Sequence, residues 1–355
     1  MLYLYTMKPN ITIKDIARQT GLSKGTVDRV LHNRSGVSKK SYEKVMQAIR
    51  DAGYQPNIYA SLLAQHKDIL IAVILPECVK GEFWELAEAG LERAREGVGP
   101  LGVKVERFSY GQYDLASFRD ACERALALDP AGVIIAPMFK TETMAFALRL
   151  QEKQIPYIYI DSRLEEDGYL AYFGMPMYKS GYLAADLLTQ GYEVNEVAVV
   201  RVRRDQQHQS DPTINRRAGF MDYMMEHYPD CKIHTVFIRP DAPEETARTM
   251  EEFVQQHPAV RHVVMFNSRV YLLVPHLERA GFGQKVRLVG FDNLGSNLQA
   301  LRRGTVNLLI AQHPDEQAAL AVQTLVDHIV FKKVPAHRDN YMHMDILTRY
   351  NVEYY

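Results

Sequence analysis

The sequence predicts a multidomain chain: a small all-α helix-turn-helix head joined to an α/β core of two doubly wound parallel-sheet lobes. Three observations predict it. Residues 12–31, TIKDIARQTGLSKGTVDRVL, place apolar and breaker residues as two short helices around a glycine turn. From Ile69 onward, apolar β-rich runs alternate with amphipathic stretches, the mark of parallel βαβ units. Finally, residues 1–67 carry 7 Lys and 4 Arg against 3 Asp and 1 Glu, a net +7, whereas the remaining 288 hold 31 basic and 39 acidic residues, a net −8.

In the head, Ile13, Ile16 and Ala17 repeat at helical spacing, Gly21 allows the turn, and Val27, Val30 and Leu31 form the second apolar stripe. Thr12 with Asp15 reads as a capping box and Ser23 as the cap of the second helix. Lys24, Gly25, Asp28 and Arg29 are left on its outward face, where side chains reach base edges in a major groove. A helix–Gly–helix pattern alone also fits an ordinary αα-hairpin, but the basic head on an acidic body suits phosphate contacts with double-stranded DNA. A third helix is expected from about Ser38 to Ala52, with Tyr42, Val45 and Ile49 on one face. The head is therefore assigned to residues 1–56. Residues 57–67, NIYASLLAQHK, form a linker too short to be a stable helix alone.

In the core, residues 68–355, strands are expected at 69–75, 103–109, 132–137, 156–161, 196–202, 231–238, 262–267, 286–292 and 307–312, and DILTRYNVEYY reads as a strand and tail. Asp161, Asn267, Asp292 and Gln312 end strands, and the carboxyl ends of such strands line the ligand crevice. Carboxylates and amides suit adjacent sugar hydroxyls, and Phe83 and Trp84 could stack on a ring. Any one of these polar residues could equally be a turn or cap.

Several classes are excluded. Apolar runs such as Ile69 to Leu75 are far shorter than the roughly 20 residues a bilayer requires. MLYLYTM lacks a charged n-region, so no secretory signal is expected. Cys78, Cys122 and Cys231 lack metal spacing and are expected as reduced core thiols in a cytoplasmic protein. Gly97, Gly99 and Gly102 match G-x-G-x-x-G but follow a helix, contain Pro100 and lead into a strand, the reverse of a dinucleotide loop. There is no nucleophile elbow, no H-E-x-x-H and no phosphate loop, so neither an enzyme nor a cofactor is expected.

These motifs, together with GVSKKSYEKV and GYQPNIYASLLA in the head and IPYIYIDSR, RRAGF, VGFD and IAQHPDEQA in the core, resemble the lactose-repressor (LacI/GalR) family of bacterial transcription regulators over about residues 11–350. The core resembles type I periplasmic binding proteins, closer to ribose-type sugar receptors than to the lactose repressor. The resemblance implies a repressor of carbohydrate-utilisation genes that binds a pseudo-palindromic operator as a homodimer. It places Lys24, Gly25 and Arg29 at base-reading positions, with Asp28 where a serine is usual, Thr12 and Ser38 against phosphates and Leu63 as the hinge wedge. It also implies an effector site of Phe83, Trp84, Asp161, Arg216, Asn267, Asp292 and Gln312. RVRRDQQHQSD (201–211) concentrates arginines near a strand end, which suggests an acidic sugar, a uronate or sugar phosphate, with Arg163 or Arg203 as its anion partner; a solvated basic loop is the alternative. A free periplasmic receptor would need the missing secretory signal and would not use the head. No C-terminal heptads point to a helical tetramer tail. Lobe closure would fold or unfold the hinge segment 57–64, with either sign of response.

Overall fold

The computed structural model describes residues 11–31, 34–52, 69–165, 168–203, 213–281 and 285–355. The chain divides into two compact units that part between residues 67 and 68. The expected hinge segment 57–64, with Leu63, lies outside the described residues, as does most of the loop 201–211.

Among the described residues, three helices build the head: α1 (Ile13–Thr20), α2 (Lys24–Leu31) and α3 (Lys39–Ala52). The capping box is complete, with the Asp15 N–H donating to Thr12 Oγ1 (3.4 Å) and the Thr12 N–H to Asp15 Oδ2 (3.0 Å). Gly21, at φ +66°, closes α1 in the left-handed conformation that a side chain would strain. Ser23 Oγ accepts the Thr26 N–H at 3.1 Å and Ser38 Oγ the Ser41 N–H at 3.2 Å, so each following helix starts on a hydroxyl cap. Ile16, Ala17, Val27, Val30, Val45 and Ala48 form the head core. The buried stripe of α3 runs through Val45 and Ala48, so Tyr42, expected on that face, is exposed one turn earlier.

The body begins with β1 (Ile69–Pro76), α4 (Phe83–Val98), β2 (Val103–Tyr110), α5 (Leu115–Ala127), β3 (Gly132–Ile135), α6 (Lys140–Glu152), β4 (Tyr157–Asp161) and β5 (Ala171–Gly174). Its five strands lie in the order 2-1-3-4-5, all parallel. The second lobe repeats the plan with α7 (Met177–Thr189), β6 (Glu196–Val202), α8 (Ile214–His227), β7 (Lys232–Ile238), α9 (Pro243–Gln256), β8 (His262–Met265), α10 (Val274–Arg279), β9 (Arg287–Phe291), α11 (Gly295–Arg303) and β10 (Leu308–Ala311). The chain then returns: α12 (Pro314–Phe331) packs on the first lobe, β11 (Asp339–Tyr341) pairs with β5, and β12 (Asp345–Leu347) pairs antiparallel with β10. The lobes are thus joined by three crossings, near residues 175–176, 312–313 and 342–344. All nine expected core strands form. Sequence reading missed β5 and β11, which are only four and three residues long and carry no alternation.

Both faces of each sheet are covered, which explains the near-continuous apolar strands. Along β6, Val197 and Val199 enter one apolar layer and Ala198 and Val200 the other. Helices clamp these layers through glycines. A Cβ on Gly181 of α7 would lie 1.7 Å from the Arg216 carbonyl of α8, and one on Gly90 of α4 would lie 2.0 Å from the Asp315 carbonyl of α12. Gly97 lies in the last turn of α4, and Gly99 and Gly102 lie in the connection from α4 to β2. Of the cysteines expected as core thiols only Cys122 is buried; Cys78 is exposed and Cys231 half-buried, because both lie in segments at strand edges rather than on a packed helix face. Among the described residues no helix is long and apolar enough to cross a membrane.

Because the α7–α8 crossing leaves no space for a methyl group, Gly181→Ala should destabilise the body by about 1–3 kcal/mol or more, read as a lowered denaturation midpoint, while exposed Gly191→Ala, strained only by its φ of +80°, should cost less.

Candidate functional site

On the head, Lys24, Gly25 and Arg29 are exposed on α2, and Ser38 is exposed at the start of α3. Asp28 faces Arg34, whose Nη1 lies 3.5 Å from its carboxylate, so the acidic residue in the outward surface is partly neutralised within the head. The Thr12 hydroxyl is engaged with Asp15 at 2.6 Å. The outward face of α2 is therefore presented on a capped, packed frame.

In the body, the strands of both lobes end at one cleft. Asp161 closes β4 and Asp292 follows β9, at φ of +65° and +68°, so the two lobes use the same left-handed exit at equivalent strands. Aspartate tolerates that conformation better than most residues, and such strain collects at functional sites. Asp161, Asp292, Asn267, Gln312, Arg216, Phe83 and Trp84 all line this cavity. Its volume is about 100 Å³.

Arg216, on the first turn of α8, is the charge around which the cavity is arranged. It is only 4% exposed, donates from Nη1 to the Phe266 carbonyl (2.8 Å) and lies 4.3 Å over the Phe291 ring. Burial pushes the Asp161 carboxyl up to about 7, opposed by Arg216 and reinforced by Asp292. The Asp292 carboxyl is also raised by burial, with Arg216 and a hydrogen bond from Gln312 Nε2 (2.9 Å) pulling the other way. Among the described residues, Arg216 Nε and Gln312 Oε1 are buried without a hydrogen-bond partner. Such orphaned groups are costly, and a hydroxyl-rich ligand would satisfy one with an acceptor and the other with a donor. Asn267 accepts the Arg269 N–H at 2.9 Å through Oδ1, leaving its amide NH₂ as a donor. Phe83 and Trp84 meet edge to face at 5.0 Å at the start of α4.

Supporting residues that the sequence did not single out tie the lobes together. Gln317, 1% exposed on α12, accepts the Asp161 N–H (3.0 Å) and donates to the Gln312 carbonyl (2.9 Å), linking strand ends of both lobes. Asn297 donates to the Phe291 and Asp292 carbonyls and holds the second exit. At the rim, Glu82 of the first lobe accepts Arg269 Nε (2.8 Å) and the Tyr271 hydroxyl (2.7 Å) of the second. Gln317 lies within the IAQHPDEQA stretch, but nothing local shows its role, since the partners of Glu82 and the Asp161 N–H that Gln317 accepts lie well over 100 positions away in the chain.

The two arginines proposed as anion partners do not line the cavity. Arg163 pairs with Asp339 at 3.4 Å and lies over the Tyr172 ring, held at the sheet edge by a residue that only β11 brings there. Arg203 sits 5.9 Å over the Phe237 ring, its N–H bonded to the Ile238 carbonyl, because the chain continues along β7 after Val202 lines the cavity. Arg204 and His208 lie outside the described residues.

Comparison with known proteins agrees with both units. Residues 12–57 match the model of bacterial regulatory proteins of the lacI family, and residues 71–333 match the periplasmic binding protein domain. A crystal structure assigned to a LacI transcriptional regulator from Bacteroides fragilis superposes with a TM-score of 0.76 at 34% identity, covering 81% of this chain and 100% of that one. The chain belongs to the LacI family of bacterial regulatory proteins. The sucrose operon repressor of Pediococcus pentosaceus is 28% identical over 221 residues, 61% of each chain, and the HTH-type transcriptional regulator DegA of Bacillus subtilis is 36% identical over 85 residues, 24% of this chain and 25% of that one. The chain thus spans a quarter and about three-fifths of the length of these two curated relatives. Both of these relatives are named as regulators of transcription, one as an operon repressor.

Two expectations follow for this LacI-family cleft. Asp161 is protonated up to about pH 7 against 3.8 when unfolded, so its neutral form stabilises the empty fold fully below about 3.8 and that contribution is lost as pH rises through 7. A ligand hydroxyl donating to the ionised carboxylate has the opposite dependence: calorimetric titration should show affinity rising as pH increases through 7, and Asp161→Asn should bind about 10- to 100-fold more weakly without that step. Glu82→Gln should weaken ligand binding by a few-fold only, since the rim pair is partly solvated.

Proposed function

We propose that this LacI-family protein is a repressor of carbohydrate-utilisation genes in the bacterial cytoplasm, binding a pseudo-palindromic operator as a homodimer under the control of a neutral monosaccharide held between its lobes. The observation that carries the choice of ligand is the charge of the cavity. Among the described lining residues, Glu77, Glu82, Asp161 and Asp292 face only two cations, Arg216 and Arg269, and Arg269 is already paired with Glu82. An anionic uronate or sugar phosphate would add charge beside Glu77 and beside Asp161 and Asp292, whose ionisation burial already opposes, whereas neutral hydroxyls can pair with either form of the carboxyls and accept from Arg216. The aromatic pair Phe83 and Trp84 supplies the flat apolar surface that a ring face needs. Lys24, Gly25 and Arg29 are the base-reading residues in this reading, Asp28 is held by Arg34, Thr12 and Ser38 meet phosphates, and Leu63 wedges the operator centre. The role assigned to Arg163 and Arg203 in anion binding is withdrawn.

Coupling follows from the seam between the lobes. A ligand that bridges Asp161 of one lobe and Asp292 of the other stabilises the closed arrangement, and it shifts DNA affinity by its differential affinity for the two arrangements.

The test is a titration with neutral pentoses and hexoses, uronates and sugar phosphates, read by fluorescence of Trp84, the single tryptophan, and by thermal shift. A neutral sugar should change the emission and, at 100-fold above its Kd, stabilise the fold by about 2.7 kcal/mol. Tight binding of only a uronate or phosphate would overturn the neutral-ligand reading, and an operator affinity unmoved by any bound sugar would overturn the coupling. In a separate binding series, Arg29→Ala should cost about 1–3 kcal/mol against the preferred operator and relax sequence preference.

A further inference from the structure

At the opposite end of the second lobe from the sugar cleft, three side chains with metal-ligand chemistry meet. Glu196 begins β6, His234 lies on the neighbouring edge strand β7, and His257 caps the C-terminus of α9. The register pairs Glu196 with Lys232 and Ala198 with His234, so Glu196 and His234 project from the same sheet face, the face that α9 covers. His234 Nε2 lies 3.1 Å from Glu196 Oε2. The two imidazoles are 4.0 Å apart between centroids and tilted by 39°, and one donor atom from each of the three residues lies within 4.8 Å of the others.

We propose that Glu196, His234 and His257 form a binding site for a borderline divalent cation of the Zn²⁺ class. Two imidazoles and one carboxylate are the donor set that suits zinc and its neighbours, not magnesium or calcium, which take oxygen ligands. At zinc–ligand distances of about 2.0–2.2 Å, tetrahedral donors stand about 3.3 Å apart, so Glu196 and His234 already have the required spacing and His257 closes the remainder by side-chain rotation. All three are half-buried, which leaves the ion partly shielded yet reachable. Phe253, one turn before His257, packs against both rings at 4.9 and 6.0 Å and limits the orientations they sample. Glu196 also lines a cavity of about 430 Å³ at the foot of the lobe, with Asn195, Ala259 and Arg261. A metal here would join β6, the edge strand β7 and the end of α9, three elements otherwise joined at this end by one ladder and by ring contacts. The site is separate from the sugar cleft, so it stands or falls independently of the effector reading.

The test uses the full chain, dialysed against chelator and titrated with ZnCl₂ by calorimetry and thermal shift, with CoCl₂ as a spectroscopic probe. Wild type should take up one equivalent saturably, melt at a higher temperature with the metal, and show the intense visible absorption of low-coordinate cobalt. His257→Ala and Glu196→Gln should each lose at least about tenfold in affinity, since even second-sphere changes at metal sites cost about 10- to 100-fold. Their metal-free melting temperatures, compared with wild type, separate a lost ligand from a damaged fold. No saturable uptake by wild type, or uptake and thermal shift unchanged in His257→Ala, would overturn the proposal.

Discussion

A guanidinium held away from water between a carbonyl, an aromatic face and two buried carboxylates is the constraint on which the body of this protein depends. Arg216 reaches that position because α8 is pressed against α7 at Gly181, and it stays there because Phe266 offers its carbonyl and Phe291 its ring. Taking these charges out of water is expensive, and replacing a buried ion cluster by apolar residues is often neutral or stabilising. The cluster is therefore poor evidence for stability and good evidence for a site. The fold carries the cost by distributing it: the strands on either side end in left-handed aspartates, and Asn297 and Gln317 satisfy the backbone that those turns expose.

The same groups lie on the seam between lobes, and this links recognition to motion. Asp161 belongs to the first lobe, Arg216, Asn267 and Asp292 to the second, and Gln312 to a crossing. Gln317 and the Glu82–Arg269–Tyr271 rim contact connect the two sides. A population shift needs only a differential affinity of a few kcal/mol between arrangements. The caps of the head and its six-residue core are complete within residues 12–48.

Legibility from sequence followed the range of the interactions. Thr12 with Asp15, Ser23 with Thr26 and the glycine at 21 act over three or four residues, and each formed as the pattern required. The strand ends Asp161, Asn267, Asp292 and Gln312 were readable because a parallel sheet sends the carboxyl ends of its strands to one side, whatever the lobes do next. Residues whose surroundings depend on a distant partner were not legible. Arg163 was given an anion to bind because nothing local reveals Asp339, and Arg203 because its neighbours in sequence are arginines, whereas its neighbour in space is Phe237. Nothing near Glu82 in the sequence marks its role, because Arg269 and Tyr271 reach it from the other lobe. Glu196, His234 and His257 were invisible for the same reason, being brought together by a strand register and a helix end.

By itself, the sequence determined the class of each unit, the helix-turn-helix with its outward residues, the order of the long strands and the polar residues that end them. Periodicity, caps and glycine turns are local properties that survive any arrangement of the remainder. Only the tertiary structure decided that Arg216 is buried in the cleft beside Asp161 and Asp292, that Arg163 and Arg203 lie outside its lining, and that α7 and α8, and α4 and α12, meet at glycines. Those outcomes depend on which buried groups share a low-dielectric space, and that is settled by packing between segments far apart in the chain.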